Sequence, residues 1–335
     1  MFVHYKKIFV FYKYKILNII IKLIKISFIS IIFMKYLLYF YFYSSENTIH
    51  IAMSLNNNYT YPIMVSATSI LVNSKKNTII HFHFIIDESV DKENINKISS
   101  LKRLKNNSNF YFYNVKNTFY GWKINRNDLT ISSYYRIIIG NLVKNVDKII
   151  YLDGDTLTYD DLSEMFNIDM TNLYFRGFRE YVQDGVLKYV NVSRYICAGV
   201  LLMNLKLIRE NNAFLHFKNY YYFLSNKGIN YNDQNIINTV FTSKIGFLPP
   251  KYGIYQMQSI NIYKKLKPKI YRKSELEKAN KNPIIRHIFG KLPNKPWLFP
   301  YYDPIKIEWN YYAKKTGYYS DICEFFKNAC INISL

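Results

Sequence analysis

The stretch Lys148-Ile149-Ile150-Tyr151-Leu152-Asp153-Gly154-Asp155 governs how the rest of the chain is read. Five mostly apolar residues predict a buried strand that delivers two carboxylates to its carboxyl end. Gly154 lets the chain turn there, so Asp153 and Asp155 can converge on one cation. Hard divalent ions such as Mn²⁺ or Mg²⁺ take one or two carboxylates together with phosphate oxygens of a substrate. Such an ion neutralises a departing diphosphate. The bland reading is an ordinary Asp-Gly turn, and the buried strand in front of it is what favours chemistry.

Outward from this strand the pattern alternates between strand and helix. Ile49 to Met53 predicts a first strand and Tyr61 to Asn73 a helix behind it. Ile79 to Ile86 predicts a second strand. Asp91 to Leu104 has helical spacing at Ile95, Ile98 and Leu101. Asn109 to Val115 predicts a third strand, and Ser133 to Leu142 a helix before Lys148. This is the signature of an α/β domain with a mostly parallel central sheet flanked by helices. Ligands of such sheets bind beyond the carboxyl ends of the strands.

Three further clusters are candidates for the same site. Ile284-Ile285-Arg286-His287-Ile288-Phe289-Gly290 reads as a strand and a turn, followed by Lys295-Pro296-Trp297. A neutral imidazole at a strand end can serve as a metal ligand, Gly290 admits a phosphate close to backbone, and Lys295 supplies a point charge. The competing reading of His287 is a packed core histidine. Asn232-Asp233-Gln234-Asn235 opens a helical run, where Asp233 either caps the helix or joins Gln234 in bonding sugar hydroxyls. Asn56-Asn57-Asn58-Tyr59 follows the first strand, where amides and a ring suit a nucleobase; a polar loop is the alternative.

Composition sets outer limits. Half of the 335 residues are apolar and 18% aromatic, which excludes an intrinsically disordered chain. The net charge of +22 draws the protein toward polyanions, but Lys, Asn, Ile, Tyr and Phe dominate throughout. No basic–aromatic module supports a specific nucleic acid partner. The three cysteines, Cys197, Cys323 and Cys330, are too few for a disulfide framework and are expected to be reduced. Residues 1–47 stand apart. Lys6, Lys7, Lys13 and Lys15 precede an apolar run from Ile16 to Tyr43, interrupted by Lys22, Lys25 and Lys35. That pattern predicts association with an anionic membrane, as a spanning or a surface-lying helix. A surface-lying helix would leave the following domain cytoplasmic. Lys264 to Lys281 reads as a basic, loop-like insertion.

Taken in order, the segments IHIAMSLNNNYTYPIMVSATSIL, SSYYRIIIGNLVKNVDKIIYLDGDTL, ICAGVLLMNL, NDQNIINTV, LPPKYG and RHIFG…KPW resemble glycosyltransferase family 8, the retaining nucleotide-sugar transferases. The match runs from about Ile49 to Trp297. It implies a GT-A fold, a Rossmann-like sheet that binds a UDP-sugar and Mn²⁺. It implies a catalytic domain over residues 48–300, between the amino-terminal segment and a helical tail over 301–335.

By that resemblance Asp153 and Asp155, around Gly154, form the DxD metal pair, and His287 is the third ligand. Lys295 touches the diphosphate, with Gly290 nearby. Asn58 and Tyr59 contact the uridine, Arg136 contacts the donor, and Ala198 and Gly199 line the donor site. Asp233 and Gln234 bind the transferred sugar, the glutamine near its anomeric carbon. The chain departs from the family at Asn56, usually an Asp facing uracil, at Cys197, often an Asn, and at Asn235, frequently an Asp. Its Gly290–Lys295 loop is two residues longer than usual, and Lys291 could substitute for Lys295.

The expected activity is therefore metal-dependent transfer of a hexose, glucose or galactose, from a UDP-sugar to a glycan or glycolipid hydroxyl, with retention at the anomeric carbon. Two rivals are a non-catalytic sugar- or UDP-binding relative and a metal-dependent nucleotidyltransferase. The second would need a triphosphate loop near the first strand, and none is evident there.

Overall fold

A computed structural model describes residues 27–28, 30–31, 33–35, 47–124, 129–180, 194–229, 232–254, 270–288, 295–298 and 304–327. The chain forms two compact units, Met1–Asn47 and Thr48–Leu335. Residues 27–28, 30–31 and 33–35 of the first are helical and expose Phe28, Ile31, Phe33 and Met34. Among the described residues no helix is long and apolar enough to cross a membrane. The rest of the Ile16–Tyr43 run lies outside them.

The strands, in chain order, are β1 (Asn47–Leu55), β2 (Thr78–Ile86), β3 (Ser108–Asn114), β4 (Lys148–Leu152), β5 (Thr156–Thr158), β6 (Phe175–Arg179), β7 (Ile196–Asn204), β8 (Ile245–Phe247), β9 (Tyr252–Ile254) and β10 (Ile285–His287). A seven-stranded sheet has the order β3-β2-β1-β4-β7-β6-β8. β1 pairs parallel with β4, β2 with β3 and β6 with β8, while β7 runs against both β4 and β6. The remaining strands make a small sheet, β5-β10-β9.

Both faces of the large sheet are covered, which is why its central strands are continuously apolar. Ile49, Ile51 and Met53 of β1, with Ile150 and Leu152 of β4, belong to one core. Ala52, Ile149 and Tyr151 belong to the other. Each fully buried Ile, Leu or Met side chain among them contributes roughly 1.5–3 kcal/mol.

The longer helices are α1 (Thr60–Asn73), α2 (Lys92–Ser100), α3 (Ala213–Asn226), α4 (Asp233–Val240), α5 (Lys273–Lys281), α6 (Pro304–Lys315) and α7 (Tyr319–Phe325). α1 is buried from Thr60 to Leu71. Trp309, Tyr312 and Ala313 of α6 enter the same core as α1, and Tyr312 Oη lies 2.8 Å from Asn73 Nδ2.

Three expectations need correction. The helix predicted over Ser133–Leu142 is a 3-10 helix from Ile131 to Ile138 that becomes α-helical only over Ile139–Leu142. Apolar spacing alone does not separate these two geometries. The Lys264–Lys281 insertion ends in α5, whose Leu276 and Ala279 are buried. Cys323 is disulfide-bonded, whereas Cys197 is a buried free thiol.

Candidate active site

β4 ends at Leu152, and the two carboxylates follow as its spacing predicts. Asp153 stays on the large sheet, its N–H bonded to Gly199 O of β7 at 2.8 Å. Asp155 immediately precedes β5 and lies against the small sheet. There its carbonyl accepts from Ile288 N at 2.8 Å, and Thr156 pairs with His287 across the β5–β10 ladder. Strand pairing thus carries a histidine from far along the chain to the second carboxylate. Asp153, Asp155 and His287 each offer a ligand atom, all within 4.8 Å of one another.

Glycines make this approach possible. A Cβ on Gly199 would lie 2.4 Å from His287 Cε1 and 2.7 Å from Asp153 Oδ2. A Cβ on Gly154 would meet Ile63 Cδ1 at 3.0 Å and Tyr59 Cδ1 at 3.1 Å. Gly154 is not among the positive-φ residues. Its role is therefore close approach to α1, not a turn that other residues cannot make.

Two buried nitrogen groups complete the cluster. Lys295 Nζ donates to Asp155 Oδ2 and, at 3.0 Å, to Ile288 O. His287 Nε2 lies 3.1 Å from Asp155 Oδ1. Burial alone would raise the Asp155 pKa, but Lys295 and His287 outweigh it and hold the carboxyl far below the usual range. Burial opposes a charge on His287, yet Asp155 raises its pKa well above the ordinary value.

Arg136 comes from the 3-10 helix before β4. Its guanidinium is 3.0 Å from Asp153 Oδ1 and 3.0 Å from Asp233 Oδ2, and it donates to Ala198 O. It also lies over the Tyr151 ring, 4.7 Å from the centroid. Asp233 does not cap α4, because the Asn232 side chain does so by accepting from Asn235 N. The Asp233 carboxylate is therefore left for Arg136. Burial raises the Asp233 pKa more than Arg136 lowers it.

Gln234 follows on the same helix end. Its Oε1 accepts from Ala198 N at 2.9 Å, and its Nε2 reaches Tyr195 Oη at 3.3 Å. Asn238, one turn on, bonds both backbone groups of Ile196 at 2.8 Å and locks α4 to β7.

The Asn56–Tyr59 turn sits at the end of β1. Tyr59 packs edge-on against Trp297, with ring centroids 5.8 Å apart. Asn58 is exposed. Among the described residues the buried Asn56 Oδ1 has no hydrogen-bond partner, an acceptor waiting for a donor. Gly290 and Lys291 lie outside the described residues.

Among the described residues, Arg136, Asp153, Asp155, Ala198, Gly199, Asp233, Gln234, His287 and Lys295 thus gather around one centre, which Tyr59 flanks from the end of β1. Sequence reasoning missed the supports. Tyr151 Oη donates to Asp153 Oδ1 at 2.8 Å, and its position two residues before Asp153 on a strand was the available signal. Cys197 Sγ lies 3.4 Å from His287 Nδ1, and no local pattern announces that.

The family model for glycosyl transferase family 8 matches residues 50–300. The chain belongs to glycosyl transferase family 8. It is 28% identical over 261 residues to a Haemophilus influenzae protein that carries a provisional glycosyltransferase assignment, covering 75% of this chain and 74% of that one. It is 25% identical to the lipopolysaccharide 1,2-glucosyltransferase of Escherichia coli, covering 84% and 78%. The galactosyltransferase LgtC, crystallised with donor and acceptor sugar analogues, superposes with a TM-score of 0.67 at 22% identity, over 80% of this chain and 95% of LgtC. The fold is GT-A.

Proposed function

We propose that this glycosyltransferase is a metal-dependent, retaining hexosyltransferase that moves glucose or galactose from a UDP-sugar to a hydroxyl of a glycan or glycolipid. The observation that carries the reading is the convergence of Asp153, Asp155 and His287 beside Lys295 and Arg136. Two hard oxygen ligands and one imidazole fit Mn²⁺ or Mg²⁺, and the spacing needs no Cβ at Gly199. When bound, the ion supplies positive charge to a diphosphate leaving group.

The chain's own groups do the rest. Asn56 Oδ1 accepts the uracil imide N–H, the partner its burial calls for, and Tyr59 packs on the base with Asn58 beside it. Lys295 transfers its ammonium from Asp155 to the diphosphate oxygens and stabilises their developing charge. Ala198 and Gly199 form the floor beneath the sugar, while Asp233 and Gln234 bond its hydroxyls.

Retention through a covalent intermediate needs a free carboxylate close to the anomeric carbon. Arg136 clamps both Asp233 and Asp153, and Gln234 is a poor nucleophile. Front-face attack fits these restraints: the acceptor oxygen bonds the anomeric carbon as the bond to the phosphate oxygen breaks, and that oxygen takes the acceptor proton. The lipopolysaccharide glucosyltransferase among the relatives supports a glycolipid or glycan acceptor. The basic, apolar amino-terminal segment associates with an anionic membrane, and lying on its surface it would keep the catalytic domain on the cytoplasmic side.

The test is a screen of UDP-sugars for hydrolysis with Mn²⁺, with Mg²⁺ and with chelator, the first-formed anomer being read by NMR. The expected result is cation-dependent release of an α-hexose from UDP-glucose or UDP-galactose. Equal turnover in chelator, or a β product, overturns the reading.

A further inference from the structure

We propose that Cys197 is the positioning residue for His287: its thiol accepts the Nδ1–H and so directs the Nε2 lone pair at the cation site. The inference rests on the reading of Asp153, Asp155 and His287 as ligands.

The imidazole lies across two residues of β7 that share a face, Cys197 and Gly199. Cys197 Sγ is 3.4 Å from Nδ1. Gly199, lacking a side chain, leaves the space that Cε1 and Nε2 occupy. The opposite nitrogen is 3.1 Å from Asp155 Oδ1. With Nδ1 turned to the sulfur, Nε2 is the atom that faces both carboxylates.

The thiol itself is held. Gly199 N donates to Cys197 Sγ at 3.3 Å, and Cys197 is 3% exposed, packed with Phe178 and Leu276. The sulfur cannot swing away without breaking that packing. A ligating histidine commonly has its remote nitrogen fixed by a carboxylate, a carbonyl or water, and losing that partner costs about 10–100-fold in metal affinity. Sulfur is a weaker acceptor than a carboxylate, so the effect here belongs at the lower end, about 10-fold.

The experiment uses the full chain and the metal alone. Mn²⁺ affinity is measured by EPR of the free ion for the wild type, Cys197→Ser and Cys197→Ala. The same proteins loaded with Co²⁺ are examined by proton NMR for the hyperfine-shifted, exchangeable imidazole N–H of a bound histidine. Cys197→Ser, which keeps an acceptor, is expected within about 3-fold of wild type with a slowly exchanging N–H. Cys197→Ala is expected to bind Mn²⁺ about 10-fold more weakly, with that N–H lost to solvent exchange.

Should alanine leave too large a hole to fold, Cys197→Val, apolar and close in size, makes the same prediction. A folded Ala or Val variant with wild-type Mn²⁺ affinity and a slowly exchanging N–H overturns the proposal while leaving the ligand reading intact. A wild type with no Mn²⁺ binding and no histidine N–H signal overturns the ligand reading and this proposal together.

Discussion

Arg136 Nε lies 3.0 Å from Asp233 Oδ2, joining the helix before β4 to the start of α4. Both side chains are about 5% exposed. Removing one member of a buried ion pair leaves an uncompensated charge and costs about 3–5 kcal/mol. Arg136→Ala is therefore expected to lose most of that amount in denaturant unfolding. Arg136→Lys should recover only part, because one ammonium cannot reproduce the planar fork to Asp153 and Asp233. Recovery of full stability by lysine would count against this account.

The two carboxylates of the candidate centre should differ in their structural importance. Asp155 is paired with two buried groups, the Lys295 ammonium and the His287 imidazole. Asp153 is 26% exposed at its side chain and shares Arg136 with Asp233. Asp155→Asn is therefore expected to destabilise the metal-free protein by about 3–5 kcal/mol, and Asp153→Asn by clearly less. Both should lower transfer by about 10²–10³-fold, the scale of losing one preorganised electrostatic contact. Thermal unfolding and single-turnover assays of the same preparations separate the two effects.

Gly199→Ala probes the space beneath the imidazole. The added methyl would lie well inside contact distance of His287 and Asp153, so one of them must move. An overpacked position of this kind costs about 1–3 kcal/mol. Calorimetric titration with Mn²⁺ should show affinity reduced by at least about 10-fold. Unaltered affinity would place His287 outside the ligand set.

Acid sensitivity is expected from the opposite end of the sheet. His50 Nδ1 lies 3.0 Å from His83 Nε2, and His83 Nδ1 lies 3.2 Å from Tyr113 Oη. Burial, and then neighbouring histidines, lower the pKa of His50 to about 4 and of His83 to about 3. Both groups bind protons in the unfolded chain near pH 6.5 but resist them in the fold. Their stabilisation is full above about pH 6.5 and is lost progressively as pH falls toward 4 and 3. His50 is only partly buried, so solvent trims its share, and the expected loss between pH 7 and pH 5 is on the order of 2–3 kcal/mol. His83→Phe, which keeps the stacking on Tyr111 and Tyr113, should flatten the urea midpoint over that range.

Much of the large sheet was legible because its strands are apolar on both faces and bounded by polar turns. β4 was read to the residue, and α1 to within one. The small sheet was not assembled. β5, β9 and β10 have three residues each; β10 was read as a strand, but β5 and β9 are too short for any period to register. The members of the site were legible as residue types at strand and helix ends. Their couplings were not, because Arg136 to Asp233 and Cys197 to His287 exist only once distant strands pair. The cap at α4 shows the limit well: Asn232 and Asp233 are equally good caps by sequence, and only the fold assigns the task to Asn232.

The passage of the chain from β4 to β5 through Gly154 puts Asp153 on one sheet and Asp155, with His287, on another. The site is thus a pair of jaws, one fixed to the large sheet and one to the small. Its bite is gauged by what lies under the joint, where Gly154 rests on Ile63 and Tyr59. Thinning that shim, as in Ile63→Val, would change which ionic radius is gripped best while every ligand stays in place. The preference between Mg²⁺ and Mn²⁺ would then be written in helix packing as much as in the ligands themselves.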